Sequence, residues 1–447
     1  MNALRSLWLC VFLSVACIIP ATAQTPAATV IAHLEPGTTR SALQAGLAPG
    51  VRITGWLPQI RAAVLHLPPG SSANSIRHPK IRSIEQDAIM HPVASGPDPL
   101  FPQQYGLANV QASAAWTVST GVGTVVAVVD SGIQLDHPDL ASQLWANPGE
   151  IPGNGIDDDG DGYIDDVHGW HFYHGIDSFG NPVPQNDGDL SDGLGHGTHV
   201  SGIVGAARNN AEGGAGIAPD TRLMIMRVFG RPDAPYDANG YESDIASAIL
   251  YTVDHGANVI NMSLGGNTDV QALHDAIIFA VVHGVVVVAA AGNNVPAVVY
   301  PARYPEVIAV GATDRSDQPA FFSTSGPQLA LSAPGVNILS TAKNPPPPNY
   351  PADDCPGSLM PPSTGYYGLC SGTSMSTPLV SGAAALLKSV HPAYTPACIR
   401  IVLEKSADDI AVPGFDPATG WGRLNAVRAL QLASQGGCYT QLLPLVP

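Results

Sequence analysis

From residue 124 onward, short unbroken apolar runs alternate with segments whose apolar residues recur at helical spacing. Thr124-Val125-Val126-Ala127-Val128-Val129 leads straight into Asp130-Ser131-Gly132, and Val285-Val286-Val287-Val288 leads into Ala289-Ala290-Ala291-Gly292-Asn293. Apolar runs of this kind, without polar alternation, are typical of strands covered on both faces. Further strands are expected over 222–228, 258–262 and 307–310. Helices are expected from His196, over 242–255 and 270–283, and after Ser374 and Thr395. Strands alternating with helices imply an α/β fold, a parallel sheet covered by helices on both faces. No internal repeat breaks the order.

The pattern differs before residue 96, where strands over 29–34, 62–67 and 81–88 and a short helix over 41–47 predict a small α+β segment. Residues 1–23 differ again: Arg5, then an apolar stretch from Leu7 to Ile19, then Ala21-Thr22-Ala23. This is the layout of a secretory signal peptide. A lipoprotein signal at Cys17 is the alternative, disfavoured by the apolar Ile18-Ile19 pair that follows. The stretch is short for a membrane span, and no later segment reaches the required length. The expected organisation is therefore a signal peptide over 1–23, a small domain over 24–95 and a large α/β domain over 96–447, exported from the cell.

The 447 residues are 45% hydrophobic, enough for a large core. Only 12% are charged and the formal net charge is −17. That acidity argues against a nucleic-acid partner, and no Lys/Arg run is long enough to suggest an anionic membrane surface. Of six cysteines, Cys10 and Cys17 would leave with the signal peptide. Four remain, Cys355, Cys370, Cys398 and Cys438. An even count in an exported chain implies disulfides. Three pairings are possible; proximity in the chain favours Cys355–Cys370, bracketing a Pro-rich insertion over 344–369, with Cys398–Cys438.

Three polar stretches interrupt this apolar background where chemistry can be placed. Gly372-Thr373-Ser374-Met375-Ser376-Thr377-Pro378 opens a buried small-residue helix, with Pro378 expected in its first turn. Ser374 then sits where free amides and the helix dipole favour developing negative charge. Asp130 ends a central strand, where open α/β sheets carry their ligands. His196 starts a helix within Gly195-His196-Gly197-Thr198-His199. A serine hydroxyl becomes nucleophilic when a neighbouring base takes its proton, and the resulting imidazolium needs a carboxylate.

Together these motifs, in the chain order Asp, His, Ser, resemble the three catalytic motifs of subtilisin-like serine proteases. The resemblance implies a secreted serine endopeptidase acting through an acyl-enzyme, with Ser374 as nucleophile, His196 as base and then acid, and Asp130 orienting the imidazole. Asn293, at the end of its strand, would point an amide at the oxyanion beside the backbone N–H of Ser374. Ser263-Leu264-Gly265-Gly266 resembles the family's substrate-pairing strand, and Ala290, Ala291 and Gly292 would line an uncharged P1 wall. Broad specificity with an apolar or aromatic P1 preference is expected. The segment over 24–95 resembles an inhibitor-like propeptide, a partner alongside polypeptide substrates; the mature enzyme is expected to be a monomer, with no membrane span.

Asp157-Asp158-Asp159-Gly160-Asp161-Gly162-Tyr163-Ile164-Asp165-Asp166 carries Asp157, Asp159, Asp161 and Gly162 in the opening pattern of an EF-hand-like calcium loop, with Asp165 ninth. The twelfth position is His168 instead of Glu, so the last ligand would come from elsewhere, such as Asp166. A solvated acidic loop is the alternative. Asp139 and Asn210 look like weaker calcium ligands of the family. His199 lies three residues after His196, not the four of a zinc-protease helix, which argues against zinc. Two further readings remain open. A sedolisin-type carboxyl serine peptidase would use Glu and Asp where this chain has His196, and would peak near pH 3. A catalytically dead binding module would have lost a catalytic residue, and none is lost here.

Overall fold

The structure, a computed structural model, describes residues 29–68, 76–87, 96–173, 188–230, 238–344 and 367–438. The expected signal peptide and Cys355 lie outside these residues. The chain divides into two compact units, Met1–Pro92 and Val93–Pro447.

The first unit is a four-stranded antiparallel sheet in the order β2-β3-β1-β4, with β1 Thr29–Leu34, β2 Arg52–Leu57, β3 Ala62–His66 and β4 Ile81–Gln86. Helix α1, Arg40–Gln44, is capped by the Thr39 hydroxyl accepting from the Ala42 amide. Strand β1 alternates half-buried and buried positions, so Val30, Ala32 and Leu34 face one core with Leu43 and Leu65.

In the second unit, short helices α2 (Tyr105–Asn109) and α3 (Ala112–Ala115) lead into a seven-stranded, all-parallel sheet. In chain order come β5 Val125–Asp130, β6 Gly169–His171, α4 His196–Gly205, β7 Arg222–Arg227, α5 Glu242–Asp254, β8 Val259–Met262, α6 Gln271–Val282, β9 Val286–Ala290, β10 Ile308–Thr313 and β11 Leu329–Pro334. The hairpin strands β12 Ile338–Thr341 and β13 Tyr367–Cys370 precede α7 Thr373–Val390, α8 Pro396–Ser406 and α9 Ala426–Ser434. The sheet runs β11-β10-β9-β8-β5-β7-β6.

Strand β5 shows why its apolar run is unbroken. Val126 and Val128 lie in the core that packs on α4 and α7, while Ala127 and Val129 lie in the core on the other face, against α5, so both faces are covered. Helix α7 is buried along almost its whole length, with Val380, Leu386 and Leu387 inaccessible to water. Each such side chain contributes about 1.5–3 kcal/mol by burial.

Three expectations are corrected. The sheet has two more strands than the apolar runs predict, β6 and β11, and both lie at its edges. Strand β6 has three residues, and β11 (LALSAP) is built from weak strand formers ending in proline. Helix α7 starts at Thr373, so Pro378 falls in the second turn, not the first.

Candidate active site

Asp130, at the end of β5, is 1% exposed and its Oδ1 lies 2.8 Å from His196 Nδ1. The same oxygen accepts the Ser131 amide at 2.7 Å, which holds the carboxylate in position. His196 is the first residue of α4 and keeps one side open to solvent. The helix start packs against the β5 turn: a Cβ on Gly197 would stand 2.2 Å from the Gly132 carbonyl oxygen, so only glycine fits.

A residue absent from the sequence-based candidates organises this junction. Buried Asp192 accepts from the Gly195 amide at 2.7 Å, the Leu194 amide at 3.0 Å and the Thr198 amide and hydroxyl at 2.8 and 2.6 Å. It also accepts the Ser131 hydroxyl at 2.7 Å, and that hydroxyl oxygen accepts the Gly197 amide at 2.9 Å. Asp192 thus satisfies the free amides opening α4 and ties them to β5, fixing Asp130 against His196. Burial raises its carboxyl, and these donors oppose that rise. Asp192 lies in no recognisable motif; only its position four residues before a histidine-led helix hints at a capping role.

His199 is fully buried one turn into α4, and its Nε2 donates toward the carbonyls of Ile338 and Gly368 at 3.1 and 3.2 Å. Burial lowers its imidazolium to about 4, so it is a neutral core residue pinning α4 to the β12–β13 hairpin.

Ser374 is the second residue of α7, beside the ends of β8 and β9. Its hydroxyl lies 3.3 Å from the Ser263 carbonyl. Asn293 follows β9, and its Oδ1 accepts both the amide and the hydroxyl of Thr373 at 3.0 Å. With the oxygen held, the Nδ2 side faces the open turn at Gly372, 3.2 Å from where a Cβ there would stand. A donor therefore flanks the first turn of α7, where backbone amides also point outward.

The expected substrate strand continues from β8. Gly266 exchanges both backbone hydrogen bonds with Tyr300, at 2.8 and 2.9 Å. Strand alternation then turns the N–H and C=O of Gly265 to the opposite edge, the one Ser263 presents to Ser374. Gly265 is exposed, and a Cβ on it would meet Val299 at 2.3 Å. Ala290 and Ala291 are buried beside half-buried Gly292.

The acidic loop is held by its own carboxylates. Asp157 accepts the amides of Gly160, Asp161 and Gly162 at 2.7, 3.2 and 2.9 Å. Asp165 accepts the amides of Asn154 and Gly155 at 3.1 and 2.8 Å. The oxygens that converge are those of Asp159 with Glu150 and Asp166, and those of Asp159 and Asp161 with His255. Glu150 and His255 were not candidates from sequence, because nothing local marks them. Asp161 is raised by burial and by the charges of Asp166 and Asp159, a repulsion a hard cation would relieve. Asp139 and Asn210 also meet, at 2.6 Å, with Tyr367 donating to Asp139 at 3.2 Å; burial pushes the Asp139 carboxyl up to about 7. Asp98 accepts the amides of Asn209 and Asn210 beside them, at 2.9 and 3.1 Å.

The Cys398–Cys438 disulfide forms as expected, and Cys370 is also disulfide-bonded.

Comparison with known proteins agrees with this geometry. The sequence model described as "Subtilase family" matches residues 121–422. Thermitase of Thermoactinomyces vulgaris is 37% identical over 338 residues, covering 75% of this chain and 98% of that protein. Subtilisin E of Bacillus subtilis (strain 168) is 35% identical over 364 residues, covering 80% of this chain and 78% of its own. Among solved structures, a protease from Pseudoalteromonas arctica PAMC 21717 superposes with a TM-score of 0.60 at 27% identity, covering 76% of this chain and 99% of that one.

Proposed function

We propose that this chain, which belongs to the subtilase family and is a serine endopeptidase, works through Asp130, His196 and Ser374 with Asn293 as an oxyanion donor. The observation that carries the assignment is the 2.8 Å contact between His196 Nδ1 and Asp130, in a junction that Asp192 locks from both sides. Asp130 accepts a hydrogen bond from Nδ1–H, which leaves Nε2 unprotonated as the base. His196 takes the Ser374 hydroxyl proton as the oxygen attacks the scissile carbonyl. The Asn293 amide and the Ser374 backbone N–H stabilise the oxyanion. His196 then protonates the leaving amine, and water reverses the sequence to release the acyl group.

Substrate pairs along Ser263, Leu264, Gly265 and Gly266, and the uncharged wall Ala290, Ala291 and Gly292 supports broad specificity with an apolar or aromatic P1. Residues 24–95 serve as a self-processed propeptide, chaperone and inhibitor, and the mature monomer acts outside the cytoplasm. The family resemblance and the apolar leader support this; among the described residues no helix is long and apolar enough to cross a membrane. Calcium is the cofactor of this reading. Asp157, Asp159, Asp161 and Asp165 frame its loop, with Glu150 and Asp166 adding oxygens, and Asp139 and Asn210 form a second place. Hard carboxylate and amide oxygens fit that ion. Cys355 is the assigned partner of Cys370.

The test is Ser374→Ala, expressed from the full chain. Peptidase activity should fall at least about 10⁴-fold in a folded protein. N-terminal sequencing should find residues 24–95 retained in the variant and removed from the wild type. Substantial hydrolysis by the purified variant refutes the nucleophile assignment.

A further inference from the structure

Helix α5 ends at Asp254, and its C-cap residue, His255, faces the acidic loop: Nε2 lies 2.9 Å from Asp161 Oδ2 and 3.7 Å from Asp166 Oδ2. Asp159, Asp161 and His255 each place one ligand atom within 4.8 Å of the others. The ring is held in advance. It stacks on Tyr251 at 3.9 Å between centroids and meets Trp145 edge-on at 5.8 Å, and only 11% of the side chain is exposed. Nδ1 lies 2.9 Å from the Tyr251 carbonyl, which can only accept, so Nδ1 carries the ring's proton. The Nε2 lone pair is thereby turned toward the carboxylates, acceptor against acceptor, and such an arrangement calls for a cation between them. A second ring proton, on Nε2, would serve one oxygen and add one positive charge. It would stand against four carboxylates, Glu150, Asp159, Asp161 and Asp166, with which no lysine or arginine pairs among the described residues. Glu150 and Asp166 are buried, where unbalanced charge is most costly. A backbone carbonyl on the far nitrogen is also how protein metal sites orient a histidine ligand.

We propose that Asp159, Asp161 and His255 hold a zinc-class divalent ion, separate from the all-oxygen position at Glu150, Asp159 and Asp166. Calcium takes oxygen ligands, whereas an imidazole nitrogen suits zinc and its neighbours in the first transition row. Ligands about 2.0–2.1 Å from a tetrahedral ion stand about 3.3 Å apart, so the 2.9 Å between His255 and Asp161 needs only a small opening to admit one. Three protein ligands leave the fourth position to water. The ion clamps the acidic loop to the end of α5, whose last carbonyls add the negative end of the helix dipole to the attraction. His196 and His199 take no part in it. The inference goes beyond the calcium reading but shares Asp159 and Asp161 with it, so the two metals are tested separately.

The experiment takes the full chain carrying Ser374→Ala, strips it with a chelator, saturates it with calcium and titrates it with zinc chloride by calorimetry. The titration is repeated with His255→Ala and with His255→Gln added, each checked for an unchanged circular dichroism spectrum. Zinc should bind the Ser374→Ala protein, and each His255 substitution should weaken that binding at least about tenfold, since losing a ligand costs no less than losing its supporting hydrogen bond. Calcium affinity, titrated without zinc, should change less than about twofold in both, because calcium does not use the imidazole. X-ray absorption of the zinc-loaded Ser374→Ala protein, which needs no substitution at His255, should show an imidazole among the ligands. A flat zinc isotherm, one unchanged by both substitutions, or a shell of oxygens alone overturns the site and leaves the Nε2 contact as an imidazolium–carboxylate pair. Loss of calcium along with zinc in both folded variants refutes the separateness of the two positions. If calcium fails to bind while zinc behaves as stated, the calcium reading falls and this one stands.

Discussion

Ser263 and Ser374 hold each other at two points. The Ser263 hydroxyl donates to the Ser374 carbonyl at 2.8 Å, and the Ser374 hydroxyl lies 3.3 Å from the Ser263 carbonyl. In a regular helix the Ser374 carbonyl would accept the amide four residues on, but that residue is Pro378, which has no N–H. The proline frees a carbonyl that Ser263, the residue after β8, then captures. The link extends inward: Asn261 donates to the Ser263 hydroxyl at 3.2 Å and accepts the Ser381 hydroxyl at 2.8 Å.

Ser263→Ala should therefore leave a part-buried carbonyl without its donor and destabilise the fold by about 1 kcal/mol. Urea unfolding in the inactive Ser374→Ala background measures this free of autolysis. An unchanged midpoint and slope would show that water replaces the hydroxyl without loss.

Asn293→Ala should lower kcat by about 10²–10³ with little change in KM, a magnitude taken from subtilisin and carried over through the family. Thr373→Val tests orientation separately, because it removes the hydroxyl that holds Asn293 Oδ1 and leaves the amide in place. About a tenfold loss in kcat is expected for Thr373→Val, as for one net hydrogen bond. If Thr373→Val were as harmful as Asn293→Ala, Thr373 would be acting beyond orientation.

His199 predicts a pH dependence whose sign follows from its lowered pKa. The unfolded imidazole titrates near 6.5 and the folded one near 4, so the unfolded chain binds the proton first as the medium acidifies. Its contribution is intact above about pH 7 and is lost as pH falls from about 6.5 toward 4, with a ceiling of about 3 kcal/mol. Comparing Ser374→Ala with Ser374→Ala/His199→Gln by urea unfolding at pH 7 and 4.5 isolates it. The double variant should lose less stability on acidification; parallel losses would refute the buried neutral state.

Calcium titration by calorimetry on Ser374→Ala should show a binding event at the acidic loop that Asp159→Ala with Asp161→Ala removes, leaving any binding at Asp139 and Asn210 in place. Both residues belong to the converging oxygens, whereas Asp165 holds the amides of Asn154 and Gly155, so Asp165→Ala should weaken binding less. At free calcium a hundredfold above Kd the ion would stabilise by about 2.7 kcal/mol. Chelation should shorten the half-life of the active enzyme by autolysis more than it lowers its initial rate. Identical isotherms with and without the paired substitutions would mean that the loop is a solvated surface.

How much of this was legible in the chain varied with how local the signal was. The unbroken runs that became β5 and β9 are buried on both faces, so apolarity alone marked them. Edge strands β6 and β11 escaped because one is very short and the other lacks β-branched residues. The three motifs were legible because each contains its own reactive side chain and turn glycines. Asp192, Glu150 and His255 were not, since their roles come from partners that only the folded chain brings near. Asp165 shows a partner that sequence could not give: its loop position suggested a ligand, and in the folded chain its oxygens also hold the amides of Asn154 and Gly155.

The contrast between the two sheets has a kinetic consequence. Every pairing in the first is antiparallel, and β2 and β3 are joined by a short turn, so much of it can form from neighbouring segments as the chain emerges. The second is wholly parallel, and β5 in its middle pairs with β7 and β8, both far along the chain. Pairing of that kind must close large loops before any contact rewards it, which makes folding slow. Asp130, His196 and Ser374 sit on segments that meet only when this late step finishes. Hydrolytic competence is thereby deferred to the end of folding, and the topology acts as a built-in delay between synthesis and the first cut.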